Sequence, residues 1–292
     1  MSDLRILAIV FPVFAIIGLG WWYGRAKRPD LGVTNRISMD VLVPALVFAA
    51  LASKEFDFAH YGQLAAGGAA VVLGSGVLAW PVARLLKVDA RTFVPPMMFN
   101  NSGNMGIPLI VLAFGEAAIG AAVILFLVEM VLHFSLGPTL LGHRMRLLQW
   151  LKTPVMAATI LGVAVSLTHT ALPDPLYTAI RMLGDASIPM LLFALGVRLN
   201  HVTFRDWHIG LASGIVSPAT GLIMVLLVTP FLDLDPTQQA ILLVFGALPP
   251  AVLNVLMAEQ YRQDPERVAS IVLLGNLAAL AVMPAVLAFA LP

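Results

Sequence analysis

Apolar runs of about twenty residues, each closed by a short polar connection, follow one another along this chain from end to end. A helix rises about 1.5 Å per residue, so about 20 apolar residues are needed to cross a hydrocarbon core about 30 Å thick. The pattern predicts ten such helices, near 4–23, 37–53, 61–81, 92–114, 117–137, 154–170, 176–197, 208–230, 238–258 and 268–290. Two of them are interrupted. Residues 99–108 read Phe-Asn-Asn-Ser-Gly-Asn-Met-Gly-Ile-Pro, and Leu248-Pro249-Pro250 sits inside the ninth run. A helix broken in hydrocarbon frees N–H and C=O groups that are costly unless protein, water or a ligand satisfies them, so such breaks survive mainly where they line a cavity.

Composition sharpens the class. Of 292 residues 60% are hydrophobic and 11% charged, with a mean hydropathy of +0.92. This is the composition of an integral membrane protein, and almost no length remains for a soluble catalytic or nucleic-acid-binding domain. The first run starts beside Asp3 and Arg5, ends in Trp21-Trp22-Tyr23 and lacks a small-residue cleavage site, so a retained helix with an aromatic interfacial end is expected. The absence of cysteine removes disulfides, thiolate metal sites and thiol nucleophiles together. No metal or cofactor is expected.

With ten spans the connections alternate between two faces. Arg25, Lys27, Arg28, Arg36, Arg84, Lys87, Arg91, Arg144, Arg146, Lys152, Arg198, Arg205, Arg262 and Arg267 fall on one, and Arg5, Lys54 and Arg181 on the other. Fourteen against three accounts for all 17 Lys and Arg residues. By the positive-inside rule the first face is cytoplasmic and both termini are extracytoplasmic. The basic clusters read as topology signals in contact with lipid headgroups.

The chain also repeats itself. Arg36-x3-Asp40-x3-Pro44-x3-Phe48 recurs as Arg181-x3-Asp185-x3-Pro189-x3-Phe193 at an offset of 145 residues, half the chain. Near that offset the interrupted fourth span answers to the interrupted ninth. Five spans are an odd number, so halves 1–150 and 151–292 insert with opposite orientation, and their discontinuous helices mark a binding site. Asn104 lies about 18 Å into its span, and Pro250 about as deep in its own. Beyond each break a half-helix is expected to begin, with Pro108 in one and Pro249 or Pro250 in the other at a first-turn position, beside Gly103 and Gly106. Two positive helix ends then face the midplane, a setting for an anion. Asn100, Asn101, Ser102, Asn104 and Asn254 are the candidate substrate ligands. The alternative is that these groups cap the half-helices and satisfy freed backbone.

At these residues the chain resembles the auxin efflux carrier family, which includes plant PIN-FORMED exporters and bacterial permeases for malonate, malate and related acids. The motifs are N-N-S-G-N-M-G-I-P-L at 100–109 and L-P-P-A-V-L-N-V-L-M-A-E-Q-Y at 248–261, supported by I-P-M-L-L-F-A-L-G at 188–196. The resemblance implies an all-α fold of ten transmembrane helices, a 5+5 inverted repeat with two broken, crossing helices of the NhaA and bile-acid symporter type. It implies a homodimeric elevator carrier in a bacterial inner (plasma) membrane. Helices 4–23, 37–53, 154–170 and 176–197 would form the scaffold, and 61–81, 92–114, 117–137, 208–230, 238–258 and 268–290 the moving part. Asn104 and Asn254 match the carboxylate-binding asparagines of the family, and Pro108 and Pro250 its crossover prolines. Only about 16 residues join spans five and six, unlike the long loop of the plant exporters, so auxin itself is not expected.

Buried charge supplies the coupling candidates. Glu129 and His133 share a face of the fifth span at i,i+4, and either bind or relay a proton or lock that helix to its neighbours. Asn276 either completes a cation site or makes a helix–helix hydrogen bond. The expected solute is a small organic anion, a mono- or dicarboxylate, with H+ or Na+ as a coupling ion. A sodium- or proton-coupled carrier of another solute on the same fold is the nearest alternative. An intramembrane enzyme is remote, because Asp40 and Asp185 fall at opposite faces and no H-E-x-x-H motif occurs.

Overall fold

The computed structural model describes residues 2–53, 58–143, 151–201 and 206–291. Lys54, Arg144, Arg146 and Arg205 of the charge pattern lie outside the described residues. Among the described residues every regular element is helical: α1 (Ser2–Lys27), α2 (Leu31–Leu51), α3 (Phe58–Leu85), α4 (Ala90–Met98), α5 (Ser102–Phe114), α6 (Ile119–Leu140), α7 (Pro154–Thr168), α8 (Asp174–Arg198), α9 (Trp207–Val228), α10 (Pro236–Gly246), α11 (Leu253–Tyr261) and α12 (Pro265–Ala290). Seven stretches, in α1, α2, α3, α6, α8, α9 and α12, are long and apolar enough to cross a membrane. With the composition above, they make this an all-α integral membrane protein.

Local chemistry sets the helix ends. Asp89 and Asp235 cap α4 and α10, their carboxylates accepting from Arg91 N–H and Gln238 N–H at 2.9 Å each. Pro236 opens α10 and Pro154 opens α7, where a missing N–H costs nothing. Prolines inside helices act differently. In α2 residues Ser38–Leu42, and in α5 residues Ser102–Gly106, form wide π turns. Each ends one residue before a proline is reached: Val43 N–H reaches back to Ser38 O ahead of Pro44, and Ile107 N–H to Ser102 O ahead of Pro108. A proline cannot donate to the carbonyl four residues back and its ring crowds that carbonyl, which is relieved by a wider turn.

The two breaks differ. Pro108 falls in the first turn of the α-helical stretch Ile107–Phe114, into which the π turn Ser102–Gly106 leads. Pro249 and Pro250 do not open α11, which begins at Leu253; they lie in the non-helical link after α10. Two consecutive prolines offer no N–H, and each biases the residue before it toward extended backbone, so the link stays out of helix until the second proline is passed.

Packing brings the links together. Helix α1 lies along α8, and α2 lies against α7 and α8, while α9 packs on α12 and α3, and α3 also meets α4 and α6. The α1–α8 approach is close enough that a Cβ on Gly20 would meet the Phe193 carbonyl and one on Gly196 the Ile17 carbonyl. Phe99 and Phe245 are fully buried beside the two breaks, and Phe93 is buried in a separate cluster with Ala79, Ala83, Ile209 and Ile271. Replacing Gly196 by leucine overpacks backbone against backbone, which cannot yield as a side-chain end can. A loss of at least about 5 °C in melting temperature in detergent is expected, whereas the same change at the open position Gly18 leaves it unaltered.

Candidate functional site

The link between α4 and α5 and the link between α10 and α11 pair directly. Asn100 and Pro250 form an antiparallel bridge, with Asn101 N–H donating to Pro249 O at 2.7 Å and Ala251 N–H to Phe99 O at 2.9 Å. The asparagine side chains extend this exchange. Asn100 Nδ2 donates to Phe245 O at 2.8 Å, near the end of α10, and Asn254 Nδ2 donates to Phe99 O at 3.0 Å, at the end of α4. Each broken helix thus lends an amide to the terminal carbonyls of the other. Asn101 Nδ2 donates to Asn276 Oδ1 at 2.8 Å, and Asn276 Nδ2 returns to Pro250 O at 2.9 Å and to Val272 O at 2.8 Å, so α12 is tied to both links.

Beside this crossing lies a cavity of about 280 Å³. The beginnings of α5 (Ser102, Gly103, Asn104) and of α11 (Val252, Leu253) face it, opposite Leu191, Ala194 and Arg198 of α8. Asn35, Asp40 and Thr153 also line it. Of the expected ligands, Asn100, Asn101, Ser102 and Asn104 line the cavity. Asn254 does not; it borders a much smaller space beneath the crossing, with its amide spent on Phe99 O and Ala251 O. Asn104 is half-buried and lines the cavity, and its side chain makes no hydrogen bond among the described residues, so its amide is uncommitted. The carbonyl oxygens Asn100 Oδ1 and Asn254 Oδ1 are buried without a partner. Gly106 lies under the crossing, where a Cβ would press on the Leu248 side chain.

Glu129 and His133 both reach the cavity from α6, yet they do not hydrogen-bond to each other. The Glu129 carboxyl is held by Ser102, whose hydroxyl donates to Oε2, at the positive end of α5. His133 instead stacks on Phe99, ring centroids 4.1 Å apart and nearly parallel at 7°, and its Nε2 has no partner. Spacing along α6 puts both on one face, but their partners come from the α4–α5 segment, which periodicity does not reveal.

Arg198 is the residue that sequence reasoning missed. It counted there only among the cytoplasmic charges, whereas the structure turns it into the cavity from the last turn of α8. The signal was its spacing: four residues after Ala194, it continues the face of α8 that meets the α5 π turn.

Residues 138–287, just over half of the chain, match the model of the family described as membrane transport protein. The chain belongs to this family, the auxin efflux carriers. It is 26% identical to a protein of Rhizobium meliloti named "Putative malonate transporter", over 97% of this chain and 95% of that protein. It is 21% identical to an uncharacterized transporter of Methanocaldococcus jannaschii, over 90% of this chain and 91% of that one. An auxin efflux carrier is a transporter and not an enzyme, and its membrane-embedded cavity is a setting for a small molecule.

In this carrier the Asn101–Asn276–Pro250 chain replaces hydrogen bonds that two helices have lost. Asn276→Leu leaves the Asn101 amide and the Pro250 carbonyl without a partner, and a destabilisation of about 1–3 kcal/mol per orphaned group is expected. Denaturant unfolding in detergent checks this, and the double variant Asn101→Ala, Asn276→Leu should cost less than the sum of the two.

Proposed function

We propose that this protein is a secondary transporter for a small organic anion, a mono- or dicarboxylate, which it binds at the crossing of the two broken helices and moves by elevator-type alternating access. The observation that carries this reading is Asn104, its amide uncommitted, at the positive end of α5 and lining a cavity bordered also by the start of α11. Oriented N–H groups and a partial positive charge favour a carboxylate there. The relative named for malonate supports the same class.

The reading extends to architecture. The reciprocal bonding of the two breaks supports a 5+5 inverted repeat of ten spans, with α4–α5 and α10–α11 as its crossing members. The packing supports α1, α2, α7 and α8 as the scaffold, through which a homodimer would form, and the remaining helices as the moving part. Under the positive-inside assignment, with both termini extracytoplasmic in a bacterial inner membrane, Asn35, Asp40, Thr153 and Arg198 of the cavity lining belong to the cytoplasmic side, which supports an inward-facing conformation. Asn100, Asn101 and Asn254 hold the crossing in shape, and Asn104 meets the solute.

Glu129, buried and without a cation within ion-pair distance among the described residues, is the proton-coupling group, with His133 beside it. A second reading, coupling to sodium, is favoured by the unpartnered oxygens Asn100 Oδ1 and Asn254 Oδ1, which are neutral ligands of the kind a hard cation accepts.

Uptake of labelled acids into proteoliposomes, with pH and sodium gradients imposed independently, tests the reading. Saturable uptake of unmodified carboxylate is expected in the wild type. Asn104→Ala should reduce it by at least about tenfold, and wild-type uptake in that variant would remove the proposed site. Glu129→Gln, which neither takes nor gives a proton, is expected to flatten the pH dependence of uptake; an unchanged profile would exclude this carboxyl as the coupling group. Stimulation by sodium alone would select the second reading.

A further inference from the structure

The cavity has two ends of different chemistry. One is the crossing, where Asn104 and the start of α5 offer neutral donors and a partial positive charge. The other is Arg198, a full positive charge carried by the last turn of α8, the helix opposite. Ala194, one turn earlier on the same helix face, also lines the cavity, so Arg198 stands about 6 Å further along α8 toward its C-terminal end.

Arg198 is half-buried. Two carboxyl groups share the cavity with it, Asp40 and Glu129, but among the described residues neither lies within ion-pair distance of its guanidinium. Glu129 is engaged by Ser102, and Asp40 is exposed on the π turn of α2. An arginine taken partly out of water and left unpaired inside a membrane protein is costly, and it is retained where a partner arrives from outside. Its planar fork of donors matches a carboxylate with two parallel hydrogen bonds.

Resting on the function proposed above, we infer that Arg198 binds a second carboxylate of the solute, so that the carrier selects dicarboxylates over monocarboxylates. One carboxylate sits at the Asn104 end and the other on the Arg198 fork. A cavity of about 280 Å³, just under the roughly 300–1,000 Å³ of pockets for drug-sized ligands, has room for a short-chain diacid. Because Asn104 belongs to α5 and Arg198 to α8, such a dianion spans the two groups of helices proposed to move against each other.

Malonate and its monomethyl ester are the discriminating probes, since they differ chiefly by one negative charge. Uptake of each is measured in proteoliposomes for the wild type, Arg198→Gln and Arg198→Lys. The wild type is expected to prefer malonate. Arg198→Gln should raise the malonate KM by about tenfold or more while leaving the ester within about twofold, and Arg198→Lys should fall between. Ester uptake in the variants reports that they fold and cycle. An unchanged malonate KM in Arg198→Gln, an equal loss for both probes, or a wild type that carries the ester as well as malonate overturns the inference while the proposed function stands. A wild type that carries neither these acids nor any other carboxylate overturns both.

Discussion

Backbone that leaves a helix inside hydrocarbon must find hydrogen bonds within the protein, and the architecture around the crossing follows from that constraint. Neither break could meet it alone. The α4–α5 link spends its polar groups on α10 and its following link, through Asn101 N–H and Asn100 Nδ2; the α10–α11 link spends its own on α4, through Ala251 N–H and Asn254 Nδ2. Because each set of donors is satisfied by the other break, the two must lie against each other in a fixed register. That mutual dependence locates the starts of α5 and α11 on one cavity wall more firmly than side-chain packing would.

Proline makes the arrangement directional. In the α10–α11 link, Pro249 and Pro250 contribute carbonyls but no N–H, so the link presents acceptors to Asn101 and Asn276. Within α5, Pro108 lies six residues past the helix start, and its crowding of the preceding turn accompanies the π geometry of Ser102–Gly106. The wide turn carries Ser102, Gly103 and Asn104 along the cavity. The same relation holds at Ser38–Leu42 ahead of Pro44, whose turn carries Ser38, Met39 and Asp40 to the cavity from the opposite group of helices. Each of these turns is thus followed by a proline placed just beyond the residues that line the cavity.

Much of this was legible in residue order alone. Hydropathy identifies a helical membrane protein, and Asn-Asn-Ser-Gly and Leu-Pro-Pro announce where helix cannot continue, because those residues interrupt or compete with backbone hydrogen bonding. What order does not carry is the direction of a side chain across the gap between helices. Asn100, Asn101, Asn104 and Asn254 look alike in sequence, yet only Asn104 keeps its amide uncommitted, a distinction set by which carbonyls lie within reach. The first-turn preference of proline fits Pro108 but not Pro249 or Pro250, because two consecutive prolines keep the link before α11 out of helix. Arg198 went unread as a cavity residue because its charge also satisfies the inside-positive bias, and one observation was absorbed by the more general explanation.

The position of Glu129 has an energetic consequence for any anion entering the cavity. Its carboxyl meets Ser102 at the same helix end from which Asn104 lines the cavity, so on the proposed reading the two acids draw on one region of positive potential. Like charges close together in a water-poor setting repel, and a proton on Glu129 removes that repulsion. Linkage requires the converse to the same degree: an anion bound near Asn104 favours the protonated carboxyl. Proton and solute can therefore be coupled with no contact between them, through a shared helix terminus. On the inference drawn for Arg198, its charge would offset the second negative group of a diacid from α8, and it lies too far from Glu129 to form an ion pair. The division of labour between a titratable acid at the crossing and a permanent cation on α8 would allow charge balance at each end of the solute to be met separately.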